Sequence, residues 1–178
     1  KSHGKKMQIN QMNELKVLSI RLVDEPPLFS KRELTSPKAV FEFMGQELQK
    51  YDREFFCVLN LKSNNQVINM NVVSVGTLNT ALAHPREVFK SAVLSNAAGI
   101  ILLHNHPSGN SSPSREDHSI TKRMLAAGEI MGIPVMDHVI VAGNDYYSFL
   151  ENENIIKKDG NYGEYIAEKS VSQRERAR

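Results

Sequence analysis

The stretch Gly99-Ile100-Ile101-Leu102-Leu103-His104-Asn105-His106-Pro107-Ser108-Gly109, with Ser114-Arg115-Glu116-Asp117 shortly after it, decides how this chain is expected to fold. Residues 100–103 are a short, wholly apolar run of the kind found in a buried central strand. A strand projects residues i and i+2 to the same face. If the strand runs on to His106, both imidazoles point the same way from its end. Pro107 then removes a backbone donor and ends the pairing, and Gly109 lets the chain turn sharply. Ser114 can cap a returning helix whose first turn presents Asp117.

Outward from this stretch, Ile120, Met124, Ala127 and Met131 recur at helical spacing, and Gly132-Ile133-Pro134 ends that helix. Residues 135–141 and 146–149 read as a closing hairpin around Gly143-Asn144. Upstream, Pro85 opens a helix with Val88, Phe89, Ala92 and Val93 inward and Gly99 just past its end. Residues 54–61 and 67–75 read as strands joined by the turn Ser63-Asn64-Asn65-Gln66. Ser36-Pro37 opens another helix, with Val40, Phe41, Met44 and Leu48 as its buried face. Residues 14–23, with Leu18, Ile20 and Leu22 on one face, read as a first strand that Asp24-Glu25-Pro26-Pro27 ends.

The predicted order is therefore β-α-β-β-α-β-α-β-β, an α/β (α+β) single domain with a sheet flanked by helices in two or three layers. We set the domain at residues 13–151. Residues 1–12 are polar and aperiodic, expected to be disordered and in part a cloning remnant. Residues 152–178 form a charged tail, poor in apolar residues, whose end is expected to be disordered.

A length of 178 residues suits one domain with a hydrophobic core. With 40% apolar and 24% charged residues the composition is that of a soluble globular protein. No apolar run approaches a membrane span, and no charged-then-apolar leader opens the chain, so neither insertion nor secretion is expected. Cys57 is the single cysteine, which excludes an internal disulfide and suits a reducing, cytoplasmic setting. The formal net charge of +2 does not by itself imply nucleic-acid binding.

Chemistry concentrates at His104, His106 and Asp117. Two neutral imidazoles and a carboxylate are a typical three-ligand zinc set, with a fourth position left to water whose pKa the ion lowers to about 7. The plainer alternative is a pair of loop histidines and an Asp117 that serves only as the partner of Ser114 in a capping box. Two imidazoles at the end of an apolar strand argue for the metal, because burying them needs a reason. His118, about 100° round the helix from Asp117, is expected at the surface. His138, beside Asp137 at the start of an apolar strand, reads either as a structural histidine or as a group orienting a ligand imidazole.

The pattern His104-x-His106-Pro107-x-Gly109, then Ser114-x-x-Asp117, resembles the signature of the JAMM (MPN+) zinc metalloproteases. Together with His84-Pro85-Arg86-Glu87-Val88, residues 97–109, Pro113 to Asp117, and Asp137-His138-Val139-Ile140-Val141, it resembles the RadC family across roughly residues 34–151. The resemblance implies a JAMM/MPN-type, cytidine-deaminase-like mixed sheet flanked by helices. It implies Zn2+ held by His104, His106 and Asp117, and a glutamate as general base. The family pattern puts that glutamate at the start of the strand after the first helix, which here is Glu54. Glu87 and Glu116 are its rivals, and the residues alone do not separate the three.

The resemblance also implies that the Ser114 hydroxyl donates to a developing oxyanion, with simple helix capping as the alternative. The implied activity is metallopeptidase-like or isopeptidase-like hydrolysis of a peptide or protein substrate. The alternative is a DNA-repair-associated accessory protein in which the metal is structural or vestigial. A purely scaffolding role ranks last, because every ligand position is filled. Family members generally carry a helical, helix-hairpin-helix-like region ahead of this domain. Here only a short β-like stretch precedes the first helix, so a short form without autonomous DNA binding is expected.

Overall fold

The computed structural model describes residue 34 and residues 36–76 and 83–153. The strand expected at 14–23, the turn after it and the tail beyond 153 lie outside the described residues. The described elements are α1 (Pro37–Leu48), β1 (Phe55–Leu61), β2 (Val67–Val75), α2 (Pro85–Leu94), β3 (Gly99–Asn105), α3 (Arg115–Met131), β4 (Val135–Ala142), β5 (Asp145–Ser148) and the single turn α4 (Phe149–Asn152). The strands form one mixed sheet in the order β2-β1-β3-β4-β5. Only β3 and β4 run parallel, joined by the crossover helix α3.

Strand alternation sorts the core into two halves. Cys57, Leu59 and Leu61 of β1 point the same way as Ile101, Leu103, Val139 and Val141, and pack on Val40, Met44 and Leu48 of α1. Phe56 and Val58 point the other way with Ile100, Leu102 and Val135, onto Val88, Phe89 and Ala92 of α2 and Ile120 and Met124 of α3. The fold is thus three layers, helix–sheet–helix. β3 and β4 are buried along their whole length, as central strands covered on both faces must be. Each fully buried Leu, Ile or Phe contributes roughly 1.5–3 kcal/mol. Among the described residues, no helix is long and apolar enough to cross a membrane.

Local chemistry fixes the helix starts. Ser36 Oγ accepts from Ala39 N at 3.2 Å with Pro37 behind it, and Ser114 and Asp117 form a complete capping box at α3. Gly132 closes α3 in the left-handed conformation as expected, but other details of the helix ends depart from expectation. Val93 and Met131, expected inward, are 49% and 48% exposed. Both sit in the last turn of their helices, and Ala97 and Ile133 pack on the core beyond them instead. Ala127 is only half-buried, and Gly128 takes the covered place on α3. Gly99 opens β3 rather than ending α2, where Ser95 is the cap and Asn96, at φ 50°, supplies the left-handed turn. Phe149 begins α4 instead of ending β5.

Candidate metal centre

The ladder carries β3 far enough for both histidines. His104 pairs with Phe56 on one side and Ile140 on the other, and His106 N donates to Val141 O at 2.7 Å just past the strand. Both rings therefore leave the sheet on the α2–α3 side. Asp117 meets them from the first turn of α3, where a helix N-terminus favours a carboxylate. His104 and Asp117 are fully buried, and His106 is partly covered.

Their ligating atoms lie within 4.8 Å of one another. His104 Nε2 is 2.9 Å from His106 Nε2 and 3.2 Å from Asp117 Oδ1, and His106 Nε2 is 3.5 Å from Asp117 Oδ2. Asp117 Oδ1 is buried without a hydrogen-bond donor. Two imidazole nitrogens and an orphaned carboxylate oxygen, all acceptors when neutral or ionised, converge on one point. That donor set fits a divalent cation, and residues of this type and number suit zinc.

The electrostatics follow from burial and the shared carboxylate. Burial pulls the pKa of His104 below its ordinary value, against the opposing pull of Asp117. Burial also disfavours the charged form of His106, but the Asp117 carboxylate and the Asn110 carbonyl outweigh it, so His106 is held above its ordinary value. Desolvation raises Asp117, yet the His104 and His106 rings beside it and the hydrogen bond from Ser114 outweigh burial and hold it well below the usual carboxylate range. Its conjugate base is the resident form.

Around this trio the structure orders a set of supports. His106 Nδ1 donates to Asn110 O at 2.7 Å. His104 Nδ1 lies 2.8 Å from Nε2 of the buried His138, whose Nδ1 is 2.7 Å from Thr121 Oγ1. His138 stacks on Phe149 at 5.0 Å, with Phe56 edge-on at 5.6 Å. The neighbouring Asp137 faces the other way, taking hydrogen bonds from His138 N, Leu150 N and Ser148 Oγ. His118 is no ligand, but neither is it a bare surface residue. Its Nδ1 reaches Ser114 O and its Nε2 reaches Glu153, both at 2.7 Å.

Ser114 caps α3 by accepting from Asp117 N at 3.1 Å, and spends its own proton on Asp117 Oδ2 at 2.7 Å. Its backbone N donates to the same oxygen at 2.6 Å. Capping uses a lone pair, so the competitor for the Ser114 proton is the carboxylate and not the cap.

Glu54 immediately precedes β1, and its charge acts favourably on both His104 and His106. Its rivals lie elsewhere. Glu87 sits in the first turn of α2 with Lys90 Nζ at 2.6 Å, and Glu116 is exposed on α3. Sequence reasoning missed two supporting residues. Thr121 follows Asp117 by one helical turn, a β-branched hydroxyl on the ligand's own face, which was the available signal. Asn105 is the second, and it bridges to β1. Its Oδ1 accepts from Phe55 N at 2.7 Å and its Nδ2 donates to Arg53 O at 2.9 Å, on either side of Glu54.

A family model described as a RadC-like JAB domain matches residues 34–155. A UPF0758 protein of Methanosarcina mazei is 38% identical over 165 residues, 86% of this chain and 70% of that protein. A UPF0758 protein of Pelobacter propionicus is 50% identical over 117 residues, 66% of this chain and 51% of its own length. One from Symbiobacterium thermophilum is 49% identical over 119 residues, with 67% and 51% covered. The chain thus spans from about half to 70% of the length of these relatives. The matched segment holds every described strand and all three candidate ligands, and the chain belongs to the RadC-like JAB domain family.

Proposed function

We propose that this chain is a zinc-dependent hydrolase acting on an amide bond of a peptide or protein, in the manner of a metallopeptidase or isopeptidase. The observation behind this reading is the convergence of one ligand atom each from His104, His106 and Asp117 within 4.8 Å, with Asp117 Oδ1 buried and without a donor. Three protein ligands of this kind leave a position for water and substrate. Zinc bound there supplies a water of pKa about 7 and a Lewis acid for the scissile carbonyl.

The chain's own groups do the rest. Glu54 takes the proton of the attacking water and later delivers it to the leaving amine. It is better suited than Glu87 because its charge acts on both His104 and His106. Ser114 turns its proton from Asp117 Oδ2 toward the oxyanion that develops on the substrate carbonyl, while its lone pair keeps the helix cap. Burial of His104 keeps that ring neutral and available as a ligand.

Protein purified without chelator is expected to carry about one zinc per chain, and His104→Ala or Asp117→Ala to lose it. Glu54→Gln should keep the zinc and lose hydrolysis of any peptide the wild type cleaves. Wild-type protein that neither holds zinc nor takes it up when added would sink the reading. Loss of zinc in Glu54→Gln would make Glu54 a ligand or a structural group instead of the base.

A further inference from the structure

We infer that Thr121 and His138 form a directed hydrogen-bond relay that fixes His104 in the tautomer with its proton on Nδ1, leaving the Nε2 lone pair turned toward Asp117 and His106. The direction follows from counting protons. Thr121 Oγ1 lies 2.6 Å from Asp117 O, and a carbonyl oxygen can only accept, so the single hydroxyl proton goes there. The same Oγ1 lies 2.7 Å from His138 Nδ1 and must therefore accept, so His138 carries its proton on Nδ1. His138 is fully buried between Phe149 and Phe56, and its two ring nitrogens face only a hydroxyl and another imidazole, so it is neutral and its Nε2 is bare. His104 Nδ1, 2.8 Å away, then has to be the donor, and its Nε2 is left without a proton.

Two neighbouring facts agree with that outcome. Asp117 Oδ1 lies 3.2 Å from His104 Nε2 and yet has no hydrogen-bond donor. His106 gives its Nδ1 proton to Asn110 O, and a bare His104 Nε2 stands as an acceptor 2.9 Å from His106 Nε2. The relay begins on the backbone carbonyl of one candidate ligand, Asp117, and ends on the ring of another, His104. The turn of α3 that carries the carboxylate therefore also sets which imidazole nitrogen is free to bind. Thr121 and His138 are positioning residues, since both act through His104. The use of the relay for ligation rests on the metal reading, but the tautomers themselves belong to the metal-free chain.

Long-range 1H–15N correlation spectra of metal-free protein read the tautomers directly. The expected result is a protonated Nδ1 and a bare Nε2 for both His138 and His104. In Thr121→Val the Nδ1 proton of His138 loses its acceptor. His138 then moves its proton to Nε2 and donates to His104 Nδ1, which forces the His104 proton onto Nε2. Zinc affinity, measured by competition with a chromogenic chelator, should then fall by about 10- to 100-fold. Thr121→Ser should keep both the wild-type spectrum and the wild-type affinity. His138→Phe, which retains the aromatic stack, provides a second break in the chain and should weaken zinc to a similar degree. A wild-type His138 or His104 protonated on Nε2 would overturn the relay, as would a folded Thr121→Val with unchanged tautomers and unchanged affinity. If the wild type shows the expected tautomers but takes up no zinc, the relay stands and the metal reading falls.

Discussion

The three histidines that touch one another at this site are pulled in opposite directions. Burial lowers His104 and His138, while His106 is raised once the Asp117 carboxylate and the Asn110 carbonyl outweigh its burial. In the metal-free protein, His104 and His138 stay neutral in the fold when the unfolded chain begins to take up protons below the ordinary value of 6.5. Stability therefore falls as pH drops from 6.5 toward their lowered values, by at most about 1.4 kcal/mol per pH unit from each. His106 has the opposite sign: its contribution is complete below 6.5 and is lost as pH rises through its raised value. Urea midpoints of metal-free protein should be lower at about pH 5.5 than at about 6.5. Equal midpoints would show that the two lowered rings do not outweigh the opposing contribution of His106. At this scale the sequence revealed the trio, because i and i+2 on a strand and the third position of a capped helix have fixed directions. It did not reveal Thr121, because its role depends on a ring 17 residues away that only the folded sheet brings to it.

At the level of elements, α3 works because it lies unusually close to the chain that follows it. A Cβ at Gly128 would stand 2.6 Å from the carbonyl oxygen of Ile133, whose own N donates back to Gly128 O at 3.0 Å. Gly128→Ala is expected to destabilise the protein by about 1–3 kcal/mol despite its better helix propensity. A thermal or urea unfolding curve matching the wild type would refute that close approach. Helix starts were legible because Ser-Pro and the Ser-x-x-Asp box announce themselves in the chain. Helix ends were legible only in part: Gly132 closes α3 where expected, but the inward apolar positions were assigned by periodicity, which continues past the point where the chain leaves the sheet. Val93 and Met131 fit the period and face solvent, and Gly128, which no apolar scale would pick, is buried.

Across the whole molecule, the candidate ligands come from both sides of the β3–α3 junction, so an ion held by them ties the central strand to the crossover helix. Ligand binding to the folded state alone stabilises it by about 2.7 kcal/mol at a hundred-fold excess over Kd. Added zinc should raise Tm in the wild type and leave Asp117→Ala unmoved, and an equal rise in both would place the ion elsewhere. A sheet flanked by helices was legible from element order and its mixed character followed from the family resemblance, while the choice between two and three layers was not legible. That choice depends on which half of each strand's alternation meets α1, a matter of partners and not of pattern. The same alternation has a consequence at Asn105. Its side-chain amide stands in for a peptide group, accepting from Phe55 N and donating to Arg53 O where the backbone ladder between β1 and β3 runs out. The residues on either side of it, His104 and His106, face the candidate metal centre, so one short length of strand works as a gauge block with two candidate ligands on one side and the mounting of Glu54 on the other. Under the proposed function, Asn105→Ala should lower hydrolysis by shifting Glu54 while leaving zinc content at about one per chain, and lost zinc would refute that division.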